Sequence, residues 1–196
     1  MLRLKIFDNS TAKEFDFGEL TTPGRVSIID MSDTESPKIR NLVIAELLKG
    51  LMEKQNDYYG ATKTVTDDTP RVMVVIEEAH EFLSSQRIAQ MPVLYDQVAR
   101  IAKRGRKRWL GLTFVTQLPQ HLPDEVLALL NNYILHKISD ANVVARLKRT
   151  IGSVDEGLWS KLKNLSAGQA VVSFSHMRRG MLVAIDPTPC KLLMID

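Results

Sequence analysis

The stretch "RVMVVIEEAHEF", Arg71–Phe82, decides how the rest of the chain is read. Five apolar residues, Val72 to Ile76, run without a break into two carboxylates, Glu77 and Glu78. A short, mostly β-branched run of this kind suits a strand at the centre of a parallel sheet, buried on both faces. Such sheets bind ligands beyond the carboxyl ends of their strands. That is where this run delivers its two acids. In phosphoanhydride hydrolysis one carboxylate there holds Mg²⁺ through water, and the next orients the attacking water. The same pattern fits an ordinary buried strand entering a helix, where the helix dipole favours glutamate in the first turn.

The elements on either side are read from periodicity and turn residues. "TTPG" (21–24) is a turn, and "RVSIID" (25–30) after it reads as a buried strand ending in Asp30. Residues 1–24 read as an N-terminal hairpin or extension, turning at Asn9 and Ser10. Ser36 and Pro37 start a helix. Ile39, Leu42, Val43, Leu47 and Leu51 carry it to about residue 55. "NDYYGATKTVTDDTP" (56–70) is polar and loop-like. Beyond the acids, a loop is expected near Ser84–Gln90, and Pro92 opens a helix to about Arg104. "WLGLTFVT" (109–116) is a third strand, "LPDEVLALLN" (122–131) a short helix, and "NYILHKI" (132–138) a fourth strand. Ser139 or Asp140 caps a helix to about Thr150, and Ser153 with Glu156 has capping-box spacing before another. "QAVVSF" and "MLVAID" close the chain as strands. Alternation of this kind predicts an α/β fold, a mainly parallel sheet flanked by helices.

Composition bounds the class. The 196 residues suffice for a domain with a substantial core, and 44% hydrophobic with 25% charged residues is ordinary for a globular protein. No apolar run is long enough to span a bilayer, and "MLRLKIFDNS" has no apolar signal-peptide region. The single cysteine, Cys190, excludes an internal disulfide and a cysteine metal cluster. These features favour the cytoplasm and argue against a membrane protein. Net charge is only +3, but "RIAKRGRKR" (100–108) concentrates six basic residues. Such a cluster attracts phosphate. It equally suits a solvated helix end, where Lys and Arg complement the dipole.

Three strand ends carry chemistry: Asp30, the pair Glu77 and Glu78, and Thr116 with Gln117. A neutral amide such as Gln117 contacts a γ-phosphate or the attacking water. A complete site also needs a phosphate-binding loop, G-x-x-x-x-G-K-[ST]. None of the ten glycines is followed by lysine. The strand and helix that carry such a loop are expected to precede this sheet. His80, His121 and His136 read as ordinary polar or core residues, since no H-E-x-x-H spacing occurs.

Four blocks, "PGRVSIIDMSD", "VMVVIEEAHEF", "ARIAKRGRKRWLGLTFVTQLPQHLPDEVLALLNNYILHKI" and "LKNLSAGQAVVSF", occur in the order found in HerA-like ATPases. That family is in the HerA/FtsK branch of RecA-like P-loop motors. The resemblance covers roughly residues 20 to 186. It implies that residues 25–196 are the C-terminal portion of a RecA-like ATPase domain, with the Walker A part outside them. It further implies a homo-hexameric ring that threads double-stranded DNA and hydrolyses ATP with Mg²⁺ between subunits. Partners in the family are a NurA-like nuclease in DNA end processing and repair, or effector enzymes in phage defence. By the same resemblance Glu77 matches the Walker B acid on the Mg²⁺ side and Glu78 the water-activating glutamate. Gln117 matches the polar sensor, after Thr116. Lys103 to Lys107 matches the "R-E-G-R-K" segment that serves the neighbouring subunit's nucleotide.

Two positions depart from the family pattern. Lys103 stands for its first arginine and Arg104 for its glutamate, which leaves Arg106 as the better trans-acting cation, with Arg104 as a substitute. A lysine there offers a point charge without the planar fork. Leu118 replaces the arginine of "[ST]-Q-R-P". Arg87, in the loop after the acids, is expected to face DNA. The alternative reading is a non-hydrolysing DNA-binding or ring-assembly module that lends basic residues to a neighbour.

Overall fold

The computed structural model describes residues 15–34, 36–62, 66 and 69–189. They divide into two compact units. The first runs up to Val75 and includes Asp96–Thr113; the second holds Ile76–Tyr95 and continues from Phe114. The hairpin expected at Asn9 and Ser10, and Cys190, lie outside the described residues.

In the first unit, Asp16 caps a short helix, α1 (Phe17–Leu20), by accepting from the Gly18 N–H at 2.7 Å. A hairpin or extension is expected over residues 1–24; its described end is helical, started by the local Asx cap. Phe17 lies so close to α2 (Pro37–Ala61) that a Cβ on Gly50 would fall 2.2 Å from its ring, so a larger residue there would displace Phe17. α2 starts at Pro37 as expected but runs past residue 55 to Ala61, through the first six residues of the stretch expected as loop. Its last turns are held by tertiary contacts that periodicity does not reveal. Gln55 is fully buried, and its Nε2 donates to Pro70 O and Arg108 O, both at 2.9 Å. Tyr58 and Tyr59 pack on Trp109, with ring centroids 6.3 and 5.7 Å away.

The segment 25–30 forms no strand. Val26 and Ile28 are 88% and 89% exposed. A strand needs a ladder partner, and the described sheets, β1–β2 and β3–β4–β5, do not include this segment. Asp30 forms a local turn instead, accepting from the Ser32 N–H at 2.9 Å, and that bond holds its carboxyl below the usual range.

β1 (Val72–Ile76) and β2 (Leu110–Phe114) form the pair that carries the acids. They run parallel, because Val72 N–H donates to Trp109 O at 2.8 Å and Val115 N–H donates to Ile76 O at 3.0 Å. Between them in sequence lie α3 (His80–Leu83), α4 (Ser85–Gln90) and α5 (Pro92–Arg104). The stretch expected as a loop, Ser84–Gln90, is therefore helical from Ser85; Ile88 N–H donates to Ser84 O and Met91 N–H to Arg87 O. α5 has the predicted bounds, and its inner face buries Leu94, Val98 and Ile101 at helical spacing.

In the second unit, α6 (Asp124–Leu127) leads to β3 (Tyr133–Leu135). Next come α7 (Ala141–Thr150), α8 (Glu156–Lys161), β4 (Gln169–Ser173) and β5 (Met181–Ala184). β3, β4 and β5 form an antiparallel sheet with β4 central and its Ala170–Val172 buried. Asp140 caps α7 as predicted, accepting from Asn142 N–H at 2.7 Å and Val143 N–H at 3.2 Å. The capping box at Ser153 does not form. Asp155 takes the cap position of α8, while the Ser153 hydroxyl bonds that of Ser173. The α/β class, with a parallel strand pair and flanking helices, is as expected. No described helix is long and apolar enough to cross a membrane.

Candidate functional site

The two glutamates owe their presentation to a fault in the ladder. In a regular parallel pair, a residue that donates to Ile76 O would accept from Glu78 N–H. Here Val115 donates to Ile76 O, but its carbonyl accepts from Ala79 N–H at 3.0 Å, one residue late. The extra residue makes a bulge, the device by which sheets redirect side chains next to active sites. Glu77–Glu78 is looped out of the pair, and Glu78 sits at φ 45°. A non-glycine residue in that region costs about 1–3 kcal/mol and persists only where its surroundings impose it. Ala79 and Leu83, both wholly buried, anchor the turn and start α3.

Glu77 is exposed and Glu78 partly so. The carboxylate of Glu78 is split between two environments. Its side chain is 40% exposed, yet its Oε2 is buried without an aligned hydrogen bond. His80 Nδ1 lies 3.1 Å from that oxygen, close enough for an ion pair but not aligned as a hydrogen bond. The same Nδ1 is aligned on Thr116 Oγ1 at 3.0 Å. Thr116 Oγ1 in turn accepts from Leu118 N–H at 3.1 Å, which turns the chain just after β2 and leaves Gln117 exposed at the corner. His121 packs edge-on against His80, with centroids 5.8 Å apart.

The loop after Gln117 is clamped from α7. Arg146 donates to Asp124 Oδ1 from Nε at 3.0 Å and Nη2 at 2.8 Å, and to the carbonyls of Gln120 and Leu122. A guanidinium with this many acceptors fixes a loop that has little secondary structure of its own.

The structure thus brings Glu77, Glu78, Thr116 and Gln117 to the carboxyl ends of paired parallel strands. To them it adds His80, which sequence reasoning set aside as an isolated histidine. The available signal was its place two residues after Glu78, at a strand-to-helix turn. Lys103, Arg104 and Arg106 belong to the other compact unit, where α5 ends and a 3₁₀ turn, Gly105–Arg108, leads into β2. All three are exposed. Arg108, of the same basic cluster, is engaged: its Nε donates to Asn56 Oδ1 at 2.6 Å and its guanidinium lies 3.8 Å over the Tyr59 ring. Arg87 lies half-buried in the last turn of α4. No group of three or more His, Cys, Asp or Glu residues suited to hold a metal occurs among the described residues.

Comparison with known proteins follows the same pattern. Residues 19–188 match the family model described as helicase HerA-like C-terminal. The DNA double-strand break repair helicase HerA of Saccharolobus solfataricus is 27% identical over 181 residues, covering 92% of this chain and 35% of that protein. Probable helicase MJECL08 of Methanocaldococcus jannaschii is 30% identical over 159 residues, covering 79% of this chain and 29% of that protein. The chain therefore spans about a third of the length of these relatives. Among solved structures, the genome packaging NTPase B204 of Sulfolobus turreted icosahedral virus 2, in complex with AMPPCP, superposes with a TM-score of 0.59 at 16% identity. That match covers 89% of this chain and 73% of B204. VirB4 of Thermoanaerobacter pseudethanolicus gives 0.55 at 17% identity, over 82% of this chain and 41% of VirB4. These likenesses show the fold, which this chain shares with the packaging NTPase and VirB4. With the family model matched over most of its length, the chain belongs to the helicase HerA-like C-terminal family.

Proposed function

We propose that this chain supplies the acid side of the nucleotide site in a HerA-like, ATP-driven translocase of double-stranded DNA. The observation that carries the reading is the bulge that lifts Glu77 and Glu78 out of the strand pair beside Thr116 and Gln117. Family membership supports the helicase reading, and the NTPase fold supports the use of ATP. Glu77, exposed at the strand end, is the carboxylate suited to hold Mg²⁺ through water. Glu78 accepts a proton from the attacking water and orients it, while Gln117 contacts that water or the terminal phosphate. Bound ATP supplies the phosphoanhydride whose cleavage drives movement.

The residues of this chain fit that role only in part. They offer carboxylates and an amide but no Gly-Lys pair to cradle phosphates. The reading therefore assigns the cradle to residues outside these 196. Lys103, Arg104 and Arg106 reach a neighbouring subunit's nucleotide, Arg106 foremost. Arg87 contacts DNA phosphates. A homo-hexamer acting with a NurA-like nuclease or a defence effector in DNA end processing completes the proposal, with residues 25–196 as the C-terminal portion of the ATPase domain. A second reading, a non-hydrolysing ring subunit that lends these cations to intact neighbours, is supported by Lys103, Arg104 and Leu118, which depart from the family pattern.

ATP turnover with double-stranded DNA, by the native assembly that contains this chain, separates the two. Glu78→Gln is expected to lower turnover by about 10²-fold or more, the usual worth of a positioned general base. Turnover equal to wild type would contradict the first reading and leave the second.

A further inference from the structure

We infer that His80 is a positioning residue that links Thr116 to Glu78, so that the end of β2 governs how the Glu78 carboxylate is held. The inference rests on the proposed role of Glu78 as the carboxylate that orients water.

One ring nitrogen faces two oxygens. His80 Nδ1 lies 3.0 Å from Thr116 Oγ1 and 3.1 Å from Glu78 Oε2, and it has either one hydrogen or one lone pair to offer. With the lone pair on Nδ1, the Thr116 hydroxyl donates to it. That hydroxyl has its hydrogen to give, because the Leu118 N–H donation engages only its oxygen. Glu78 Oε2 then faces a lone pair and has no hydrogen bond. The geometry accommodates this state: Nδ1 is aligned on Thr116, and Glu78 Oε2 is buried and unmatched. With the hydrogen on Nδ1 and the ring turned from Thr116 toward Glu78, the imidazole donates to the carboxylate, and the buried oxygen is satisfied.

The two states exchange a bond to Thr116 for a bond to Glu78, and a small shift of Thr116 decides between them. Thr116 directly precedes Gln117, the residue assigned to the phosphate or water. A movement at Gln117 therefore reaches Glu78 through Thr116 and one imidazole. His80 is well placed to transmit it, since its side chain is only 15% exposed and is packed against His121. Glu78, at φ 45° on a bulge, has a backbone that is already held away from regular strand geometry. Its rotamer is then left to side-chain partners such as His80.

The test is carbon and nitrogen NMR of the 196-residue chain with labelled Glu and His. Thr116→Val removes the hydroxyl. The expected result is a shift of the His80 ring nitrogens toward the Nδ1–H form, together with a shift of the Glu78 Cδ resonance. In a His80→Ala background, Thr116→Val should leave Glu78 Cδ where it was, and Thr116→Ser should restore the wild-type spectrum in the His80 protein. A Glu78 shift of equal size with and without His80, or none in either, overturns the inference. His80→Ala alone is a second arm if the valine variant fails to fold: an unmoved Glu78 Cδ also overturns it. Loss of the NMR link while Glu78→Gln still abolishes turnover sinks this inference alone. Full turnover in Glu78→Gln with the link intact sinks the catalytic reading instead.

Discussion

Glu78 takes a backbone conformation that its residue type does not signal. A glycine or asparagine at φ 45° would have marked a turn in the sequence; a glutamate does not. The acid pair was legible because an apolar run ended in it. The bulge was not, because it depends on which carbonyl of β2 meets Ala79. The link from His80 to Thr116 was illegible for a similar reason: the two are 36 positions apart. Tyr133 shows a buried polar group whose pH behaviour follows from its surroundings. Its hydroxyl donates to Leu127 O at 2.9 Å, with Leu130 O at 3.2 Å, and burial raises its pKa above the ordinary value. The folded protein therefore keeps this proton at a pH where the unfolded chain has lost it. Its contribution is full below pH ~10 and declines as pH rises beyond that, since the unfolded state then binds fewer protons. Denaturant titrations from pH 9 upward should show wild type losing stability more steeply than Tyr133→Phe; parallel profiles would refute this.

At the scale of elements, the helices and strands whose apolar pattern faces a core in the described chain were found where expected. α5 keeps its predicted ends, and β1 and β2 fall within their predicted runs, but β1 is not buried on both faces as expected, since Met73 and Val75 are 63% and 55% exposed in its two-stranded sheet. The failures have physical causes. Residues 25–30 carry a strand pattern but have no ladder partner among the described sheets. α2 outruns its apolar stripe because Gln55 and two tyrosines tie its last turns to Trp109 and its neighbours. The junction of α5 with β2 is fixed by one residue. A Cβ on Gly105 would lie 2.3 Å from Leu110 O and 2.9 Å from Ile101 Cγ2. Gly105→Ala must push the exit of α5 away from β2, and overpacking of this kind costs about 1–3 kcal/mol. For a chain of this size that is roughly 2–12 °C in Tm. Thermal unfolding checks it, and an unchanged Tm would show that the junction yields without cost.

At the scale of the molecule, the family was legible from the order of four blocks, and the fold of the NTPases followed from it. The proposed sites of DNA and nucleotide contact were only partly legible, because they combine residues from more than one chain segment. Binding of double-stranded DNA without sequence preference rests on phosphate contacts and falls steeply with salt. Arg87→Ala is expected to weaken binding alike on unrelated sequences and to reduce the slope of log K against log salt by about 1. An unchanged slope would remove Arg87 from the DNA surface. The central claim is that this chain holds the acids of an ATP site whose phosphate cradle lies elsewhere. Equilibrium binding of Mg²⁺ and ATP to the 196-residue chain alone tests it most directly. The account predicts no saturable binding at millimolar ATP, in wild type and in Glu78→Gln alike. Micromolar binding by the wild-type chain would contradict it, because the phosphates would then be held by residues of this sequence.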